Sequence, residues 1–128
     1  MAGNFLLDTN VIIALFSGDK GASERVAHAE VFVPSTALGE LYYGARKSTH
    51  GTENLARVEQ FAAATQVLSC DAATAWIYGE VRDRLRLKGR PIPENDIWIA
   101  ALAIQHGLTL ASRDDHFKDV EDLRRENW

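Results

Sequence analysis

The chain has 128 residues, 46% of them hydrophobic and 25% charged, which leaves room for one folded domain over 1–128 and excludes a largely disordered chain. Fourteen basic against eighteen acidic side chains give a net charge of −4, so no overall positive field draws in polyanions or membranes, and a nucleic acid would have to be held locally. A single cysteine, Cys70, excludes an internal disulfide, and its place just after Val67 and Leu68 marks it as a small buried thiol.

Phe5 to Leu7 form a short apolar run, read as a first strand. Asp8, Thr9 and Asn10 follow as a polar turn that caps a helix from Val11 to Phe16, closed by Ser17, Gly18 and Asp19, with prolongation of the strand through Val11 to Ile13 as the alternative. Ala22 to Glu30 has a helical pattern, and Val31 to Val33 before Pro34 make a second strand. Ser35 offers an N-cap for a third helix, in which Leu38, Leu41, Tyr42 and Ala45 share one stripe while Glu40, Gly44 and Lys47 share the opposite face. A helix over Glu53 to Ala64 leads to a third strand at Val67 and Leu68. Asp71 then caps a long helix with Ala73, Ile77, Val81 and Leu85 at steps of four, ended by Gly89, Pro91 and Pro93. The run that begins at Asp96 is apolar almost all round, which predicts a central helix buried on most sides and closed by Gly107. Leu108 to Ala111 read as another strand, and Asp122 to Trp128 as a last edge strand or a packed tail.

Short apolar strands alternating with helices predict a three-layer α/β/α fold around a mostly parallel sheet, because parallel strands need helical crossovers. No repeat, linker or low-complexity tract interrupts the pattern. The N-terminus has no basic flank followed by a long apolar run, and no window holds the roughly 18 apolar residues of a membrane span, so a cytoplasmic protein is expected, with no membrane partner.

In open α/β sheets ligands gather beyond the carboxyl ends of the strands. Asp8 follows the first strand, and Asp114 follows the last long one by way of Ser112 and Arg113. Asp96 opens the buried helix, and Glu40 lies on the polar face of the third. Each has a bland reading as a helix cap or a solvated charge. Converging on one end of the sheet, the four would repel, since two like charges about 4 Å apart cost roughly 4 kcal/mol at an effective dielectric of about 20. Hard divalent cations relieve that repulsion, bind through oxygen, and activate water for phosphodiester cleavage. They would also reverse the local sign of a negative protein.

The other candidates carry less. His28, His50, His106 and His116 show no metal-ligand pairing, and only His116 is close in sequence to the acids. No nucleophile elbow, P-loop or dinucleotide fingerprint occurs. The basic run Arg82, Arg84, Arg86, Lys88, Arg90 reads first as a solvated helix end and second as an RNA or partner contact.

Four segments together carry a resemblance. F-L-L-D-T-N-V-I-I-A-L at 5–15, A-L-G-E-L-Y-Y-G-A at 37–45, P-E-N-D-I-W-I-A-A-L-A at 93–103 and T-L-A-S-R-D-D-H-F at 109–117 resemble the PIN-domain ribonucleases, and within them the VapC-type toxins of bacterial toxin–antitoxin pairs. The likeness runs to the ending D-L-R-R-E-N-W. It implies a Mg²⁺- or Mn²⁺-dependent endoribonuclease that inhibits translation and growth, whose catalytic and metal-binding acids match Asp8, Glu40, Asp96 and Asp114. Asn10 and Ser112 match supporting polar positions, Ser112 standing where many relatives carry threonine. Asp115 beside Asp114 leaves two acids for one place, and the motif favours Asp114. The resemblance further implies a homodimer, an RNA substrate and a cognate VapB-type antitoxin.

Three other readings stand beside it. A haloacid-dehalogenase-like phosphatase wants a second acid where Asn10 stands, and a receiver domain wants paired acids after the first strand and a late lysine. A PIN fold kept only for protein binding would be marked by loss of an acid, and all four positions are filled.

Overall fold

The computed structural model describes residues 3–128. The elements follow in the order β1 (Asn4–Leu7), α1 (Thr9–Phe16), α2 (Lys20–Ala27), β2 (Glu30–Pro34), α3 (Ser35–Lys47), α4 (Gly51–Ala64), β3 (Gln66–Leu68), α5 (Ala72–Lys88), α6 (Glu94–His106), β4 (Thr109–Ala111), a 3-10 turn over Asp115–Asp119 and β5 (Arg125–Glu126). The five strands form one sheet in the order β3-β2-β1-β4-β5, and every pairing is parallel.

The α/β/α layering follows from alternation along the strands. Leu7 and Ala111 point into a core shared with Val11, Ile12, Ala22, Leu41 and Val58 of α1 to α4. Their chain neighbours Leu6 and Leu110 point to the other face, against Val81 and Leu85 of α5 and Ile99 and Leu102 of α6. The apolar run of α6 is buried nearly all round, as its sequence predicts, with Ile99 to Ala103 wholly removed from solvent. The C-terminal segment is both alternatives at once: β5 pairs with β4, and Trp128 packs on Phe5 with ring centroids 4.8 Å apart.

Several boundaries differ from the sequence reading for local reasons. Helix α1 starts at Thr9, two residues early, because the Asp8 side chain already accepts the Thr9 N–H. Helix α2 stops at Ala27, and Glu30 joins the strand by pairing with Asn4. Ser35 is not the cap of α3: Pro34 stays in the strand, paired with Leu68, so the chain enters the helix directly and Ser35 is its first residue. Helix α6 begins at Glu94 and not at Asp96, since the Pro93 carbonyl accepts the N–H groups of Asp96 and Ile97. Asp71 caps α5 as expected, in a reciprocal box with Thr74. Gly89 and Gly107 end α5 and α6 at φ of 67° and 64°, where a side chain would be strained.

Cys70 is only half buried, and burial pushes its thiol pKa up. Along the basic run, Arg84 pairs with Asp122, Arg86 with Asp83, Lys88 with Glu121 and Arg82 with Glu94. These are the exposed ion pairs of a solvated helix end, the first of the two readings.

Candidate active site

Strand order places the site. Successive strands run outward from β1 to β2 and β3 on one side, and β4 and β5 lie on the other, so the order reverses between β1 and β4. At such a reversal the connections leave in opposite directions and open a crevice at the carboxyl ends of the strands. Asp8 stands at the end of β1, its N–H bonded to the Ala111 carbonyl at 2.9 Å, and Ser112 to Asp114 leave β4 beside it. Asp96 enters from the first turn of α6, and Glu40 from the exposed face of α3. These four acids line one cleft of about 580 Å³, together with Thr9, Asn10, Ile13, Pro93, Glu94 and Asn95. The convergence inferred from sequence is present.

The chain's own groups fix these side chains. Asp8 is 2% exposed; one carboxylate oxygen accepts the Thr9 N–H at 2.8 Å and the other accepts the Ser112 hydroxyl at 2.7 Å. The same hydroxyl oxygen accepts the Asp114 N–H at 3.0 Å, so Ser112, wholly buried, ties the two strand ends together. Asn10 donates from Nδ2 to Asp114 Oδ2 at 3.2 Å. Thr9, read from the sequence only as part of the polar turn, donates from Oγ1 to Glu40 Oε1 at 3.1 Å. Asp115 turns outward instead, its side chain 80% exposed and Oδ1 3.6 Å from Arg125; Asp114 is the acid that faces the cleft.

His116, the one histidine close in sequence to the acids, has no metal-ligand pairing with another histidine. Its partners come from elsewhere in the chain: Nε2 lies 2.8 Å from Asp96 Oδ2. One ligand atom each from Asp96, Asp114 and His116 lie within 4.8 Å of one another. Spacing between histidines could not reveal this, because the neighbouring ligand sits on α6.

The electrostatics record the crowding. Asp96 is pushed from 3.8 up to about 6, first by burial and then by the charge of Asp8, with His116 offsetting part and Asp114 and Glu40 adding to it. Burial, and to a lesser degree the charge of Asp114, pushes Asp8 up against its hydrogen bonds from Ser112 and Thr9. Glu40 is also raised, by burial first and by Asp8. Acids that resist ionising side by side form a site lacking positive charge.

Comparison with known proteins shows the family. The PIN domain family matches residues 5–123. The tRNA(fMet)-specific endonuclease VapC of Shigella flexneri is 37% identical over 129 residues, 97% of each chain. Ribonuclease VapC2 of Haemophilus influenzae is 35% identical over 130 residues, again 97% of each chain. Among solved structures, DNA-bound VapBC from Salmonella typhimurium superposes with a TM-score of 0.89 at 33% identity, covering 100% of this chain and 99% of that one. VapBC2 from Rickettsia felis, bound to a DNA fragment from its promoter, does so at 0.90 and 28% identity, covering 98% of each chain.

Proposed function

Taking as premise that the chain belongs to the PIN-domain family, among its VapC ribonucleases, we propose that it is the endoribonuclease toxin of a toxin–antitoxin pair and cuts RNA with a divalent ion, Mg²⁺ or Mn²⁺, held by Asp8, Glu40, Asp96 and Asp114. The observation that carries this reading is the meeting of those four acids, drawn from β1, α3, α6 and the β4 turn, in one cleft at the reversal of strand order.

The donor set fits such an ion. Carboxylate oxygens are the ligands that hard divalent cations take, and the raised pKa of Asp8, Glu40 and Asp96 is the mark of unneutralised repulsion that a cation relieves. Without it the cleft would repel a phosphodiester. When bound, the ion supplies the charge that admits the phosphate, activates the attacking water and stabilises the leaving oxygen.

The protein supplies position. Ser112 holds Asp8 and Asp114 in one arrangement, and Asn10 fixes the Asp114 carboxylate from the other side. Thr9 restrains the otherwise exposed Glu40. In this reading water attacks phosphorus directly in a single displacement, with no covalent enzyme intermediate. Ser112→Ala strips Asp8 Oδ2 and the Asp114 N–H of their shared partner. It is expected to lower cleavage about tenfold or more, whereas Ser112→Thr keeps the hydroxyl and stays within a few-fold of the parent; single-turnover cleavage rates on one RNA check both.

By likeness to VapBC structures, the partner protein is a VapB-type antitoxin; a homodimer acting in the cytoplasm completes the reading. No helix among the described residues is long and apolar enough to cross a membrane. Likeness to a tRNA(fMet)-specific endonuclease makes tRNA(fMet) the first substrate to try. Induced expression in a bacterium without the antitoxin is expected to stop growth and leave RNA cut at discrete sites. Normal growth and intact RNA, with the folded protein present, would count against a toxin.

A further inference from the structure

The contact between His116 and Asp96 is the least explained feature of the cleft. Nε2 of His116 is shut off from solvent and has no hydrogen-bond partner, although it stands 2.8 Å from Asp96 Oδ2. A buried ring nitrogen without a hydrogen bond is costly unless something else takes its lone pair or its proton. The ring is not adrift: it leans on Phe117, with centroids 4.7 Å apart, and Phe117 is 1% exposed in the core. The 3-10 turn over Asp115–Asp119 thereby sets the imidazole against Asp96 of α6.

The separation itself is informative. Two ligand atoms about 2.1 Å from one ion, on neighbouring octahedral positions, stand about 3.0 Å apart. The Nε2 and Oδ2 atoms are spaced like such a pair, and a ligand atom of Asp114 lies within 4.8 Å of both residues' ligand atoms.

Resting on the reading of the cleft as a metal site, we propose that His116 supplies a nitrogen ligand, through Nε2, to the ion held by Asp96 and Asp114, so that the site prefers a first-row transition ion to Mg²⁺. Imidazole favours transition ions, whereas Mg²⁺ demands oxygen and sheds water reluctantly. An all-carboxylate centre would discriminate less between the two kinds of ion. The histidine therefore sets which metal the enzyme selects when both are present.

Mn²⁺ is the probe, because its bound nitrogen is read directly by electron spin echo modulation. Wild-type protein loaded with Mn²⁺ is expected to show ¹⁴N modulation, replaced by the ¹⁵N pattern when the protein is made with ¹⁵N-histidine. His116→Gln should remove the modulation and weaken Mn²⁺ about tenfold or more in competition with Mg²⁺, with Mg²⁺ binding itself little changed. Mn²⁺ bound without nitrogen modulation in the wild type overturns the assignment of His116 and leaves the metal site standing. Failure of the wild type to bind Mn²⁺ or Mg²⁺ overturns the metal site and the assignment together.

Discussion

Asp96→Asn is expected to lower RNA cleavage by at least about a thousandfold while the protein remains folded. A loss of that size is about 4 kcal/mol of transition-state stabilisation, the scale of a ligand carboxylate removed from a metal centre that carries the reaction. The fold survives because asparagine is close in shape, and α6 is held by Ile99 to Ala103 in the core and not by this side chain. Asp8→Asn should behave alike in activity, though it puts an amide among the bonds that Asp8 accepts from Thr9 and Ser112. Cleavage rates at saturating metal, read beside circular dichroism of the same samples, check the prediction.

Stripping the metal should make the protein less stable at neutral than at mildly acid pH. The sign follows from Asp96, whose folded pKa of about 6 stands above its ordinary 3.8. Between these values the folded chain holds more protons than the unfolded one, so stability contributed by the protonated form falls as pH rises through that window and stays lost above it. Asp8 and Glu40 shift in the same direction. The Asp96 contribution is about 1–3 kcal/mol, and Asp96→Asn should recover part of it at pH 7 in EDTA. Restoring Mg²⁺ at about a hundred times its Kd returns about 2.7 kcal/mol, a rise in Tm of about 10 °C for a chain of this size. Thermal melts in EDTA and in Mg²⁺, from pH 4 to 8, read both effects.

The sheet and its layers are legible because each strand is a short apolar run bounded by a turn or a cap, and parallel pairing then demands the helical crossovers. Asp8 and Asp114 are legible for the same reason: they occupy the residues just past strands that flank the reversal of order. Glu40 and Asp96 are not, without the family's motifs, since nothing in a helical stripe says which strand end it will face. The choice of Asp114 over Asp115 rests in the sequence on the family's motif; in the structure the Ser112 hydroxyl accepts the Asp114 N–H, and the Asp115 side chain stands outward. The sequence marks His116 as the histidine nearest the acids but not its contact with Asp96, nor that of Thr9 with Glu40, because those partners lie on other elements. Helix starts differ from the apolar pattern where a side chain or a proline sets the first turn, as at Asp8 and Pro93.

The most direct test of the central claim is cleavage of a mixed RNA pool, tRNA(fMet) included, by antitoxin-free protein in Mg²⁺, in Mn²⁺ and in EDTA, beside Asp96→Asn prepared identically. A metal-dependent nuclease built on these acids cuts with either ion, stops in EDTA, and is silent in the mutant lane. Cutting that persists in EDTA, or that the mutant performs equally well, would contradict the account.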